Sequence, residues 1–361
     1  MSTENNSTQD EEVTVRALKE DPNTIARFIS EVYDLHPHGK SFVPRWSGAF
    51  LNHIIFQNPD FTPDHAIGAY QGERLVGLIM AQPHTVIADG APVKSIYGSW
   101  LAVKPEWGAQ FTAIRLLDEL RMRHKAQGAR LMLGVAYRSG PGVGLDFWES
   151  YARAFPNQIS SGRDLKFWTR VLDGKALAEA VHDPLLKVGG QTARVWPVRQ
   201  PKPLQGLRDY AADDLQMCQR LLSGSGAEMC TVPSDWELQS APDLATGPQT
   251  LVIDLGSGVV GLSMFHVLPM SDAKPLYVGM IDHFVCEAGS TERNRLMAAT
   301  LWRLKQAGAC LALMPRKPHI KSGPMLMSGF VPYEAEFKTF LMPIDDDIPC
   351  DMPASYDLLV R

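Results

Sequence analysis

No two cysteines of this chain lie close enough in sequence to form a metal or redox pair. The five, Cys218, Cys230, Cys286, Cys310 and Cys350, are odd in number, widely spaced and without a CxxC. That excludes a disulfide framework and fits a reducing cytoplasm. Long apolar runs are missing as well: none approaches the roughly 20 residues of a membrane span. Positive charge is scarce, with 35 Lys and Arg against 40 Asp and Glu and a net charge of −5, so a general binder of nucleic acid or anionic membrane is not expected. The opening MSTENNSTQDEE lacks the basic and apolar regions of a signal peptide and reads as an acidic, disordered tail.

What is present is an ordinary globular composition, 45% hydrophobic and 21% charged over 361 residues, long enough for two domains. Alternation predicts a first strand at 13–18 and helical spacing a helix at 24–35. His36-Pro37-His38-Gly39 ends that helix. The two histidines have no third ligand type beside them, so a polar loop and no metal is the expectation. A short helix follows at 50–56. Two hairpins come next, 66–70 with 74–81 across Gln71-Gly72, and 84–87 with 93–103 across Asp89-Gly90. A helix from about 109, a strand at 131–137, a glycine loop at 140–144, a helix at 145–155 and a strand at 165–172 complete a first unit. After a proline-rich linker the pattern restarts, with a hairpin 249–255/259–267, a long strand 276–286, a helix 290–307, a strand 309–313 and a last strand 337–342. VVGLSMFHVLP corresponds to LVGLIMAQP, and YVGMIDHFV to YGSWLAV, which marks a divergent internal repeat.

The stretch 94–120, KSIYGSWLAVKPEWGAQFTAIRLLDEL, organises the first unit. It reads as strand, tight turn and amphipathic helix, an arrangement whose unpaired N–H groups suit a phosphate. Val103-Lys104-Pro105-Glu106-Trp107 and Ala113 resemble the acetyl-CoA pyrophosphate signature V-x-P-E-x-(R/Q)-x-x-G-x-(G/A) of the GCN5-related N-acyltransferases, the GNAT superfamily. Gly108 stands where that family has Arg or Gln, and Phe111 where it has Gly. ERLVGLIMAQP is similar to the superfamily's strand before the central one. DFWESYARAF resembles its last helix, with Trp148 in place of the usual Tyr and Tyr151 one turn later.

The resemblance implies an α/β (α+β) fold of two tandem GNAT-like domains, each a mixed, mostly antiparallel twisted sheet flanked by helices. The boundaries expected are a tail at 1–12, a first domain at 13–173, a linker at 174–206, a second domain at 207–345 and a tail at 346–361 docking into the core. Such a tandem chain resembles the N-myristoyltransferase family at four places. These are the strand pair LVGLIMAQPHTVIADGAPVKSIYGSWLAVKPE, the non-standard loop at 108–113, GLSMFHVLP, and the ending FKTFLMPID…SYDLLVR.

By resemblance, the donor is acetyl-CoA or a longer acyl-CoA, or an acyl-carrier protein, held by Val103, Gly108, Ala109, Gln110, Phe111, Thr112 and Ala113. The backbone N–H groups of Trp100 and Leu101 form the oxyanion hole at a bulge of the central strand. The α-carboxylate of Arg361 is the base, because an amine is mostly protonated at neutral pH and must lose a proton before it attacks. Tyr151 is a candidate acid for the leaving thiolate. In the second domain Asp282 and His283, expected on opposite faces of their strand, and His266 read either as acceptor-binding or acid/base residues in the cleft or as satisfied core polar groups. Arg316, Lys317, His319 and Lys321 read as a solvated basic loop or as a contact for an anionic group.

Three functions share this pattern. The first is an N-acyltransferase acting on a small-molecule or peptide amine. The second is a GNAT scaffold without acyl transfer, suggested by the altered loop and the missing Tyr. The third is an aminoacyl-tRNA-dependent transferase, which needs a basic groove that a chain at −5 gives no sign of. CoA binding separates the first from the second.

Overall fold

Apolar segments joined by tight glycine turns pair with their sequence neighbours as hairpins, from which the sheet is built. The strands are β1 Val13–Ala17, β2 Ala66–Gln71, β3 Arg74–Ala88, β4 Ala91–Val103, β5 Leu131–Tyr137, β6 Ser160–Val171, β7 Leu207–Asp209, β8 Met229–Val232, β9 Gln249–Asp254, β10 Val259–Pro269, β11 Tyr277–Cys286, β12 Leu311–Pro315, β13 Val331–Pro343 and β14 Tyr356–Asp357. The helices used below are α1 Pro22–Leu35, α2 Gly48–Leu51, α3 Ala109–Ala126, α4 Leu145–Ala154, α5 Gly174–Ala180, α6 Leu215–Ser223, α7 Asp235–Leu238, α8 Ser290–Gln306 and α9 Ser322–Met327. This computed structural model describes residues 12–35, 44–107, 109–137, 144–180, 197–224, 226–241, 244, 246–270, 276–317, 320–345, 347–348, 350, 353 and 356–357. The expected N-terminal tail to residue 11, His36, His38, most of the glycine loop at 140–144, the middle of the linker and His319 lie outside these residues.

The strands join in one fourteen-stranded mixed sheet, ordered β1-β2-β3-β4-β5-β13-β6-β12-β11-β10-β9-β7, with β8 on the far end of β3 and β14 on β8. Two sheets were expected; one forms because the halves exchange strands. β13, from the end of the chain, lies between β5 and β6, and β6 pairs β12 of the second half. Each half thereby completes the other's hydrogen bonding, and neither presents an open edge at the junction.

β3 is one strand where sequence suggests two separated by Gln82-Pro83. Pro83 has no N–H to give a ladder. It sits where β3 leaves β2, whose pairing stops at Met80, and before it takes up β8, whose pairing starts at Thr85. The missing donor falls in that gap. The β3–β4 turn places both Asp89 (φ 50°) and Gly90 (φ 76°) in the left-handed region, the pairing a two-residue hairpin demands.

Layering follows the apolar periodicity. Leu116, Leu117 and Leu120 of α3 pack on one face of the first half, with Ile79 and Ile96. On the opposite face Ile25 and Ile29 of α1 and Phe50 and Leu51 of α2 meet Leu78, Met80 and Trp100, together with Leu268, Val278 and Met280 of the second half. That shared core ties the halves together. Each such side chain contributes about 1.5–3 kcal/mol on burial. In the second half Leu296, Leu301 and Leu304 of α8 take the place of α3, packing on Phe265, Val267 and Ile281.

Candidate active site

The first half forks at its centre. β4 and β5 run parallel and paired from Ser95↔Leu131 to Gly98↔Gly134, then pair no further, although β4 continues to Val103 and β5 to Tyr137. At Gly98 the Met132 methyl group packs directly over the strand, so a Cβ there would displace the end of that side chain. Two residues beyond the last pair, β4 bulges. Leu78 opposes Ala102 and Met80 opposes Ser99, so Trp100 and Leu101 together face only Ile79. Trp100 is buried and adopts φ 53°. For a bulky L-residue this conformation costs on the order of 1–3 kcal/mol, the strain that recurs at functional sites. A bulge also takes backbone groups out of the ladder. The two residues assigned to an oxyanion hole are the two residues of this bulge.

β4 then leads through a short turn, Pro105–Trp107, into α3. Thr112 is buried and donates its hydroxyl to the Trp107 carbonyl at 2.8 Å, holding the turn against the first turn of the helix. Val103 and Ala113 are buried in the core beneath. Phe111 points outward, 81% exposed. Gly108 lies outside the described residues, as do the side chains of Ala109 and Gln110.

Tyr151 of α4 is buried among Phe147 and Phe155, on the α3 side of the sheet. Burial raises its pKa, then the nearby Asp118 carboxylate, while Arg121 opposes them by charge and by a hydrogen bond. The phenol therefore keeps its proton at neutral pH. Its packing belongs to the α3–α4 layer, whereas Trp100 packs on the opposite face with α2. Trp148, in the position of the superfamily's Tyr, stacks on Phe340 at 5.5 Å.

The second half repeats the fork and the bulge. β11 and β12 run parallel from Val278↔Leu311 to Met280↔Leu313 and pair no further. Two residues on, Met264 opposes His283 while Phe265 opposes Ile281, leaving Asp282 as the extra residue. The expectation that Asp282 and His283 face opposite ways is corrected by this bulge. Ile281 and Phe284 both pack in the α8 core, and the two residues between them turn to the other side.

There they enter a buried polar cluster. His266 Nδ1–H donates to Asp282 Oδ2 at 2.8 Å, with both side chains at most 1% exposed. Lys317 donates from Nζ to the Asp282 carbonyl at 2.6 Å and to His283 Nδ1 at 3.0 Å, and it forms an ion pair with Asp357. His283 Nδ1 lies 3.6 Å from the same carboxylate. Lys317 is 5% exposed, so it is no member of a solvated basic loop. A charge taken from water is tolerable there only because its three donors meet the bulge carbonyl, an imidazole and a carboxylate.

Asp357 arrives on β14, which pairs parallel to β8 through Tyr356↔Met229 and Asp357↔Cys230. Asp357 is thereby buried, 2% exposed, beside a strand that itself pairs with β3 of the first half. Arg361, assigned as base through its α-carboxylate, lies outside the described residues. Sequence reading missed Lys317 as a buried group and Asp357 altogether; the apolar residues beside Asp357 in the sequence were the available signal. Among the described residues no three His, Cys, Asp or Glu gather as metal ligands, and no helix is long and apolar enough to cross a membrane.

No family model matches the chain, and no curated protein matches it in sequence. Solved structures match it in fold. Saccharomyces cerevisiae N-myristoyltransferase with bound myristoyl-CoA superposes with a TM-score of 0.72 at 15% identity, covering 91% of this chain and 82% of that one. A probable N-acyltransferase from Enterococcus faecalis V583 superposes at 0.52 with 9% identity, covering 92% and 73%. A GCN5-related N-acetyltransferase from Anabaena variabilis gives 0.51 with 9% identity and the same coverage. The chain has the tandem GNAT-like fold.

Proposed function

We propose that this tandem GNAT-like chain is an N-acyltransferase that moves an acyl group from acyl-CoA to an amine acceptor. The observation that carries the reading is the strained bulge at Trp100 and Leu101, set two residues past the fork of β4 and β5. A thioester placed at the fork has its carbonyl oxygen against the bulge N–H groups. Donors fixed in advance stabilise the charge that develops there, and one such donor is commonly worth about 3 kcal/mol of barrier. The pyrophosphate is assigned to the turn before α3, where the first helical N–H groups are unpaired. Val103, Thr112 and Ala113 support that turn from below; Gly108 through Phe111 are assigned to the ligand by their place in the motif. The likeness to a structure solved with myristoyl-CoA supports an acyl-CoA donor. The acceptor, a small amine or a peptide, is assigned to the seam between the halves, where α2 covers β10 and β11.

Phe111 in place of the expected glycine favours the second reading, a scaffold that binds no CoA. Thermal unfolding with CoA, acetyl-CoA and a long-chain acyl-CoA separates the two. A native-state ligand at 100 times its Kd adds about 2.7 kcal/mol of stability. The acyltransferase reading expects a shift with acyl-CoA and transfer of a labelled acyl group to an amine. No shift with any of the three at saturation gives the scaffold reading the lead.

A further inference from the structure

We propose that His266, held by Asp282, is the general base that takes the proton from the acceptor amine. The proposal rests on the acyltransferase reading and names the residue that performs its proton transfer. His266 lies on β10, on the face turned away from α8. Its strand neighbours on that face, Leu268 and the cross-strand Met280, pack in the same core cluster as Trp100. Phe50 of α2 covers it, with ring centroids 6.0 Å apart. The bulge places the Asp282 carboxylate on this face, where it accepts the Nδ1–H. In that tautomer the lone pair is on Nε2.

Among the described residues Nε2 has no hydrogen-bond partner, although it is buried, and neither has the second carboxylate oxygen of Asp282. Leaving a buried polar atom unsatisfied costs about 1–3 kcal/mol, so each such atom in a folded protein asks for an explanation. An acceptor amine supplies one for Nε2, because its N–H is a donor that points at the lone pair. The five-residue helical turn following α2, Asn52–Phe56, is of the wide π type, a local irregularity that often marks functional sites.

The step balances. The amine lone pair bonds to the thioester carbonyl carbon, and the carbonyl electron pair moves onto oxygen at the Trp100–Leu101 bulge. When the carbonyl re-forms, the C–S bond breaks and its electron pair leaves with the CoA thiolate. Before attack the alkylammonium gives one proton to His266 Nε2, the imidazolium being stabilised by Asp282, and the proton that nitrogen still carries in excess after attack leaves with the thiolate. Asp282 is a positioning residue in this scheme. The other ionisable groups of the cluster, His283, Lys317 and Asp357, are engaged with one another, and Lys317 also with the Asp282 carbonyl; the covering residue from α2 is the uncharged Phe50.

The test compares two acceptors, an alkylamine that is protonated at neutral pH and hydroxylamine, which is not. The variants are H266Q, D282N and a truncation lacking residues 358–361, each checked for an acyl-CoA-induced melting shift. H266Q is expected to keep that shift and to lose at least about 100-fold in alkylamine transfer at pH 7, the size of a general-base contribution. Its hydroxylamine rate stays near that of the parent protein, and its alkylamine rate climbs about tenfold per pH unit as the amine loses its own proton. D282N shows the same selective loss, because the carboxamide no longer fixes the tautomer.

Equal loss of both acceptors in an H266Q protein that still binds acyl-CoA assigns His266 a structural role and overturns the proposal. Selective loss in the truncation, with H266Q unaffected, assigns the base to the chain terminus and also overturns it. If H266Q fails to fold, D282N is decisive by the same two-acceptor comparison. A parent protein that binds no acyl-CoA overturns the acyltransferase reading itself, a different failure from that of His266.

Discussion

Trp100 and Asp282 occupy one position of a repeated structure. Each lies two residues beyond the last parallel pair of its half, Gly98↔Gly134 in one case and Met280↔Leu313 in the other. Each belongs to a bulge that gives the central strand one residue more than its neighbour. The same kink carries different side chains. In the first half it holds a buried Trp at positive φ in an apolar setting; in the second it turns two polar side chains into the interior.

The bulge at Trp100 trades backbone strain against packing. W100G removes the penalty of φ 53° but also deletes a buried indole. Large aromatic deletions cost about 3–5 kcal/mol and relief of the strain returns about 1–2. Urea unfolding is therefore expected to show a net loss of roughly 1–4 kcal/mol. A loss above 5 kcal/mol would mean that the conformation stores little strain.

Lys317 and Asp357 hold the chain end in the core. D357N leaves Lys317 charged and buried with one partner fewer, and is expected to destabilise by about 3–5 kcal/mol. Replacing both, K317M with D357L, removes the ionic requirement and is expected to recover most of that loss. The double variant proving as unstable as D357N in chemical denaturation would show that the pair contributes shape rather than charge balance.

Phe111 makes no contribution to the core, being largely in solvent at the first turn of α3. F111A is expected to change stability by less than about 0.5 kcal/mol, as exposed substitutions usually do. If the pyrophosphate binds at this turn, the smaller side chain allows closer approach, and calorimetric titration should show acyl-CoA bound at least as tightly as by the parent protein. Unchanged stability with abolished binding would instead make the Phe111 ring a direct contact of the ligand.

Acid sensitivity is expected from His124, which packs edge-on against His65 at 4.5 Å. Burial, and then the charge of His65, holds the His124 pKa down to about 4, from an ordinary value of 6.5. His65 is lowered too, chiefly by burial. The unfolded chain therefore takes up protons below pH 6.5 that the native state refuses until about pH 4. Stability falls with pH across that window and gains nothing further from this site above it. H124Q should flatten the melting temperature between pH 6.5 and 4; an undiminished slope would place the acid sensitivity elsewhere.

Sequence reading went furthest where the signal is local. Alternation, helical spacing and Gly turns marked most strands and both long helices, and the repeated phrases around Val76-Gly77 and Val260-Gly261 disclosed the tandem organisation. The register of the motif led to Trp100 and Leu101 before any bulge was visible. The exchange of β6 and β13 was not legible, because strand order depends on which distant edges meet. The paired orientation of Asp282 and His283 was hidden for a related reason: one added residue on β11 reverses the alternation that sequence assumes.

By itself the sequence determined the elements, their repetition and the place of the candidate donor loop, since those depend on residues near one another in the chain. Only the tertiary structure decided what surrounds the seam between the halves. Burial of Lys317 depends on a carboxylate forty residues later in the chain, and the His266–Asp282 pair depends on a strand kink. Desolvation makes the polar partners of such groups obligatory, and which partners come within reach is set by the closed fold.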